Sequence, residues 1–325
     1  MSGRLAFFLS RIAQAVPAVF AIATLNFLLL HLAPGDAADI IVASSGNGSP
    51  EMVAELRRSY GLDQPLHVQF LVYVGRLISL DLGTSLIQSR PVLELIGERL
   101  GATLILMIAS ITLAVVVGLV LGIIAALRHR SWIDSFVSVA ALIIYATPQF
   151  WLGLMLIVFF SITLGVFPSG GMRSIGVEMG AIDSVLDIAT HLALPAATLG
   201  LFYVAVYTRL MRTSMLDIMT LDYIKTARAK GLSELRIAFT HAARNALLPV
   251  VTLMGVQIGH LLGGSILVET VFGWPGLGRL VLDALLQRDL VLLLGILFVS
   301  STVVVLTNLA VDLLYGVLDP RLAVR

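Results

Sequence analysis

Six apolar stretches decide what this chain can become: roughly residues 7–32, 101–127, 133–164, 191–210, 247–268 and 290–315. A helix of about 20 such residues crosses the roughly 30 Å of hydrocarbon in a bilayer. Hydrophobic residues make up 58% of the chain and charged ones 13%, against about 25% charged in a soluble domain. A soluble fold would lack the polar surface to cover itself. The expected class is an all-α integral membrane protein with six transmembrane helices. The first stretch outruns the apolar region of a secretory signal, about 7–15 residues long, and no small-residue cleavage site follows it, so it reads as an uncleaved span. Pro148 sits in the middle of the third stretch. It removes a backbone hydrogen bond and predicts a kink or break there.

Basic residues orient the spans. With the N-terminus inside, the inner segments hold Arg4, Arg11, Arg128, Arg130, Arg209, Arg212, Lys225, Arg228, Lys230, Arg236, Arg244, Arg321 and Arg325, which is 13 of the 21 cations. Five of the others fall in one long outer loop, residues 33–100, where the rule is weak. The short outer loops carry only Arg173, Arg279 and Arg288. Both termini are therefore expected in the cytoplasm. The long loop reads as a small folded excursion. Pro34-Gly35-Asp36 ends the first helix, residues 44–50 form a Gly/Ser/Asn-rich turn or linker, and residues 50–57 form a short amphipathic helix.

Several chemistries are excluded. A net charge of +1 gives no reason to expect nucleic acid, and the absence of cysteine removes disulfides and thiolate metal sites. There is no Gly-x-x-x-x-Gly-Lys-[Ser/Thr] loop for ATP, no His-Glu-x-x-His, and no Gly-x-Ser-x-Gly. Ser265 with His260 is the nearest nucleophile–base pair. Five residues apart on one helix, the two do not face each other well.

Polarity concentrates between the fourth and fifth stretches, where the only two lysines, Lys225 and Lys230, lie. The segment from Asp222 to Pro249 reads as two short helices broken at Gly231, which can take the left-handed conformation that ends a helix. Lys225 and Arg228 share a face. These cations either only obey the positive-inside rule or meet a soluble partner; the length and two-helix pattern favour a partner. The fifth stretch carries Gly255, Gly259 and Gly263 at four-residue spacing, a face for close helix packing. Gln257 and His260 share another face. They either line a polar path or bond to a neighbouring helix. Gln149, beside the proline break, either lines a path or satisfies freed carbonyls, and the second is preferred. The outer loop 272–279 is rich in Gly and Pro around Trp274. That tryptophan is either part of a gate or an interfacial anchor.

Several of these segments together resemble a known family. The run Tyr223-Ile224-Lys225-Thr226-Ala227-Arg228-Ala229-Lys230-Gly231-Leu232-Ser233, followed by His241-Ala242-Ala243-Arg244-Asn245-Ala246-Leu247-Leu248-Pro249, resembles the Glu-Ala-Ala-x-x-x-Gly loop of ABC importer permeases. In this form it resembles the dipeptide/oligopeptide/nickel branch. Pro34-Gly35-Asp36, Tyr60-Gly61-Leu62-Asp63-Gln64-Pro65-Leu66, Asp81-Leu82-Gly83-Thr84-Ser85, the run from Glu269 to Leu280 and the ending Leu318-Asp319-Pro320-Arg321 extend the resemblance along nearly the whole chain. The long first outer loop is similar to that of the first, B-type permease of a pair. Lys225-Thr226-Ala227 stands where the general family has Glu-Ala-Ala, so no salt bridge of that glutamate carries over.

The resemblance implies a type I ABC importer-like fold, divided as residues 1–32, an extracytoplasmic region 33–95, a permease domain 96–316 with its coupling loop at 217–246, and a cytoplasmic tail 317–325. It implies that the loop docks on a cytoplasmic ATPase through Tyr223, Lys225, Ala227, Arg228 and Gly231. Gln257, His260 and Gln149 are the path candidates, and Trp274, Pro275 and Gly276 the outer-gate candidates. The implied partners are a sister permease, two ATPase subunits that carry the ATP and Mg, an external solute-binding protein and membrane lipid. The chain would bind no metal or cofactor and catalyse nothing itself. It would sit in a bacterial cytoplasmic membrane and import short peptides, with nickel complexes or glutathione as alternative cargo. An ion-gradient transporter is the rival reading. It wants inverted repeats and ionisable residues near mid-membrane, whereas the span centres here are nearly charge-free and Asp312 lies toward the inner end of the sixth.

Overall fold

The computed structural model describes residues 3–32, 58, 63–85 and 87–318, the side chains at 3–9, 256, 258–264, 312 and 314–318 excepted. The Pro34–Asp36 break, the 44–50 linker, the 50–57 helix, Tyr60 to Leu62 and the chain end after Leu318 fall outside them. Among the described residues the helices are α1 (Gly3–Leu32), α2 (Leu66–Ile78), α3 (Val92–Leu127), α4 (Trp132–Ala146), α5 (Gln149–Leu156), α6 (Ala181–Met219), α7 (Asp222–Ala229), α8 (Glu234–Arg236), α9 (Ala243–Val271), α10 (Leu277–Leu286) and α11 (Leu290–Leu318). A π-helical turn, Ile157–Thr163, extends α5, and another, Ile237–Ala242, joins α8 to α9.

Among the described residues five helical stretches are long and apolar enough to cross a membrane, and α4 with α5 makes a sixth, bent by 107°. The bend falls where proline predicts it. Thr147 is extended (ψ 129°) because the ring of Pro148 excludes the helical conformation from the residue before it. Thr147 also repairs the end of α4: its amide donates to Ile144 O (3.2 Å) and its hydroxyl to Ile143 O (2.7 Å). The freed carbonyls are thus met by Thr147 and not, as expected, by Gln149, whose side chain makes no hydrogen bond to the described residues.

The helices outrun the apolar stretches. α3 begins nine residues before its stretch, and α6 overshoots its own by ten residues at the start and nine at the end. Apolarity marks the hydrocarbon thickness, while a helix continues wherever its backbone bonds to itself. The first turns of α3 carry Glu94 and Glu98, both paired with Arg90 at 2.5 Å. Helices α2 and α10 were not foreseen.

The chain divides into two compact units, residues 1–99 with 280–325 and residues 100–279. In the first, α1 packs along α11 and against α2, with Phe27 edge-on to Phe70 and Asn26 Nδ2 donating to Leu294 O (3.3 Å). The Asp81–Ser85 motif is a cap-and-turn device. Asp81 Oδ1 accepts from the amide of Gly83, which sits at φ +81°. Ser85 Oγ donates to the buried Asp289 (2.5 Å), whose other oxygen accepts the Leu292 amide at the start of α11.

In the second unit α6 is the spine. Leu199, Tyr203, Tyr207, Met211 and Met215 recur at helical spacing on its buried face. α3 approaches it backbone to backbone through Gly118 and Gly122. A Cβ at Gly118 would stand 2.8 Å from Tyr207 Cβ, and one at Gly122 would stand 2.7 Å from Met211 Cβ and 2.8 Å from Thr208 O. This is small-residue helix packing. It sits at glycines the sequence reading passed over. Of the three it chose, Gly255 is buried, and Gly259 and Gly263 fall among the excepted positions.

Gly122→Leu should therefore separate α3 from α6 and lower the detergent-solubilised melting temperature, at an overpacking cost of about 1–3 kcal/mol. Gly101→Ala, on the same helix with nothing within 4 Å of its Cβ, should leave melting unchanged or raise it slightly. Equal melting of Gly122→Leu and wild type would contradict the close approach.

Candidate functional site

The polar loop between α6 and α9 is a built structure. α7 buries Ile224 and Ala227 in the same apolar cluster as Ile237, Ala238 and Ala242 of the following π turn. It ends in a two-bond glycine cap: the amide of Gly231 (φ +81°) donates to Arg228 O (2.9 Å) and that of Leu232 to Ala227 O (3.3 Å). Ser233 Oγ then accepts from the Arg236 amide and starts α8. The break expected at Gly231 is where the chain turns.

The outer face of the loop is charged. Lys225 Nζ lies 2.8 Å from Asp222 Oδ1. Arg228 grips Glu234 with two of its three guanidinium nitrogens, Nε to Oε1 at 2.7 Å and Nη2 to Oε2 at 3.1 Å, and this carboxylate raises the Arg228 pKa above its ordinary value. Exposed pairs of this kind stabilise by at most about 1 kcal/mol; what the pair fixes is the angle between α7 and α8. Tyr223 Oη accepts from Asn245 Nδ2 (2.9 Å) and donates to His241 O (3.3 Å), tying α7 to the start of α9.

Of the five residues chosen here, Lys225 and Arg228 face outward, Tyr223 is half-exposed and Gly231 makes the turn. Ala227 points into the loop's own core and seats α7. The sequence reading missed the apolar crest beside the charges, where Leu235 (65% exposed) and Phe239 (60%) stand one turn apart. Their spacing of four was the available signal.

The loop 272–279 is equally well fixed. A second glycine cap ends α9, with Gly273 N donating to Thr270 O (3.3 Å) and Trp274 N to Glu269 O (2.8 Å). Trp274 is fully buried and its Nε1 donates to Ala102 O (2.9 Å). This removes the interfacial-anchor reading of that residue. Glu269, also fully buried, organises the turn. Oε1 accepts from Thr103 Oγ1 (2.8 Å) and Oε2 from the Arg279 amide (3.0 Å), while Thr103 Oγ1 accepts from the Leu277 amide (2.7 Å). Ser265, one turn earlier and weighed above as a nucleophile, also hydrogen-bonds this carboxylate. A Cβ on Gly276 would overlap the carboxylate. Pro275 is half-buried beside it. Glu269 and Thr103 were not among the residues chosen from sequence; a carboxylate at the end of an apolar span was the clue. The path candidates are less defined. Gln149 opens α5 and Gln257 is half-buried on α9, while His260 is among the excepted side chains.

A family model described as the binding-protein-dependent transport system inner membrane component matches residues 118–324. The chain belongs to this family. A model for the N-terminal part of such membrane components matches residues 4–109 of the permease. The permease is 40% identical over 335 residues to the dipeptide transport system permease protein DppB of Escherichia coli K12, covering 98% of both chains. It is 39% identical over 319 residues to the oligopeptide transport system permease protein AppB of Bacillus subtilis, covering 98% of this chain and 99% of that one. In fold it resembles a chain of the inward-facing methionine ABC transporter MetNI, with a TM-score of 0.57 at 18% identity over 69% of this chain and 96% of that one. The permease is thus a multi-pass membrane component of an ABC importer with the type I fold.

Glu269→Ala should leave the Thr103 hydroxyl and the Arg279 amide without their acceptor and destabilise the turn after α9 by roughly 1–3 kcal/mol. Hydrogen exchange at residues 272–279 should accelerate, with little change in α7. Unchanged protection of the turn would show that Glu269 does not hold it.

Proposed function

We propose that this permease imports short peptides, di- and oligopeptides, across a bacterial cytoplasmic membrane, with both termini in the cytoplasm. It pairs with a sister permease, two ATPase subunits dock on its loop 217–246 and that of its sister, and an external binding protein delivers cargo to the outer face. The observation that carries the reading is the resemblance over 98% of the chain to permeases named for dipeptides and oligopeptides.

The loop's build supports its role. α7 is rigidly capped, anchored by Ile224 and Ala227, and offers Lys225, Arg228 and the Leu235–Phe239 crest to a partner. Tyr223 and Gly231 hold its angle. ATP and Mg reside on the ATPases; closure of these subunits displaces α7, and a rigid element between two spans passes the push into the membrane. Gln149, Gln257 and His260 line the path, and the turn Trp274-Pro275-Gly276, braced by Glu269, forms part of the outer gate. No step of covalent chemistry falls to this chain.

Cells lacking the permease should lose uptake of labelled di- and tripeptides and regain it with the wild-type gene. Uptake should stop on ATP depletion and survive a protonophore while ATP is maintained. Gly231→Val should reduce transport about tenfold with the ATPases still bound. Uptake that survives ATP depletion and fails with the protonophore would refute ATP drive, and rescue confined to nickel or glutathione would refute peptide cargo.

A further inference from the structure

The span centres are nearly free of charge, yet one half-buried ion pair joins two of the membrane helices. Asp134, 4% exposed at the start of α4, is held by Arg212 of α6, with Nε to Oδ1 at 2.5 Å and Nη2 to Oδ2 at 2.9 Å. The Arg130 amide donates to the same carboxylate (3.0 Å), and His129 Nδ1 lies 3.3 Å from it. At the other end of α4 the Tyr145 ring stacks on Phe202 of α6, with centroids 5.2 Å apart and planes at 20°. Arg209 of α6 lies over the Tyr145 ring at 4.6 Å. Both ends of α4 are therefore fixed to one stretch of α6, residues 202–212.

The connections at the two limits of this pair of helices differ. Beyond residue 212, α6 passes into α7 through a bonded corner: Thr220 N donates to Asp217 O, Leu221 N to Ile218 O and Ile224 N to Leu221 O, at 3.0–3.3 Å. That corner is stiff. Beyond residue 146, α4 ends at Pro148, where the helix is broken by 107°. That joint has no proline amide to carry a backbone bond across it.

We infer that Asp134 and Arg212 are coupling residues: they lock α4 to α6 so that a displacement of α7 is delivered to the break at Pro148. Both act as positioning residues, each through the helix it holds. The inference rests on the reading of α7 as the element the ATPases push. An ion pair with Asp134 buried and Arg212 a quarter exposed is not needed for stability alone, because apolar replacements of similar volume are often as stable. What it supplies is register. With the pair in place α6 cannot slide along α4; without it the apolar contacts between the two helices leave that motion open.

The test uses the whole transporter reconstituted in liposomes, with peptide uptake and ATP hydrolysis measured on the same preparation. Asp134→Asn and Arg212→Gln should hydrolyse ATP within about twofold of wild type yet move about tenfold less peptide per ATP. The exchange Asp134→Arg with Arg212→Asp should recover at least about half of the lost ratio. Tyr145→Ala, which buries no orphan charge, should lower the ratio about threefold and decides the matter if the charge variants do not assemble. A wild-type ratio in Asp134→Asn and Arg212→Gln, or in Tyr145→Ala where those do not assemble, overturns the inference. So does an exchange variant as poorly coupled as Asp134→Asn while equally well assembled. Gly231→Val in the same assay separates the two readings: a wild-type ratio there refutes α7 as the coupling element, whereas uncoupling there with normal ratios in the clamp variants refutes the clamp alone.

Discussion

A peptide group in hydrocarbon has no water to bond to, and most of this structure follows from that. The spans are helices because a helix pairs its own amides and carbonyls. Where one is interrupted, the loose groups are recaptured locally: Thr147 closes the end of α4 with its amide and its hydroxyl. Where one stops, a left-handed glycine folds the chain back over its last carbonyls, as Gly273 does after α9; Gly231 does the same for the loop helix α7. Helices that satisfy their own backbone can touch backbone to backbone, which Gly118 and Gly122 exploit against α6.

The same rule explains where charge is allowed. The buried acids among the described residues are Asp134, Glu269 and Asp289. Each sits at or just beyond a helix end, each accepts a backbone amide, and each also bonds to a residue distant in sequence: Arg212, Thr103 and Ser85. Hydrogen bonds offset part of the desolvation at each of these positions, and each carboxylate fixes the turn or helix end beside it. Glu269 fixes the turn after α9 and Asp134 joins α4 to α6, and the apolar helix faces do the packing.

The apolar lengths and Pro148 made the spans and the break legible in the sequence, and Gly231 made the turn after α7 legible. The helix ends were not, because hydropathy reports the hydrocarbon thickness and α6 continues well past it on both sides. Ala227 was chosen as a contact residue from its place in a motif, yet its position three residues after Ile224 turns it inward. Trp274 could be read as a belt residue until its indole was seen to donate to Ala102 O. Glu269 left a clue, a carboxylate at the end of an apolar span, but its partnership with Thr103 spans 166 positions and exists only once α3 and α9 pack. The outward crest of Leu235 and Phe239 was legible in spacing and was overlooked beside the charges.

The central claim is that the α7 face receives the ATPases. The chain has no cysteine, so Lys225→Cys places a single thiol on that face. A bifunctional thiol cross-linker in native membranes should join it to a P-loop ATPase subunit, with a yield that changes on adding ATP. Ser174→Cys, on the segment before α6 that lies at the opposite membrane face in this account, should give no such product. Absence of an ATPase adduct from Lys225→Cys in membranes that transport normally would contradict the account.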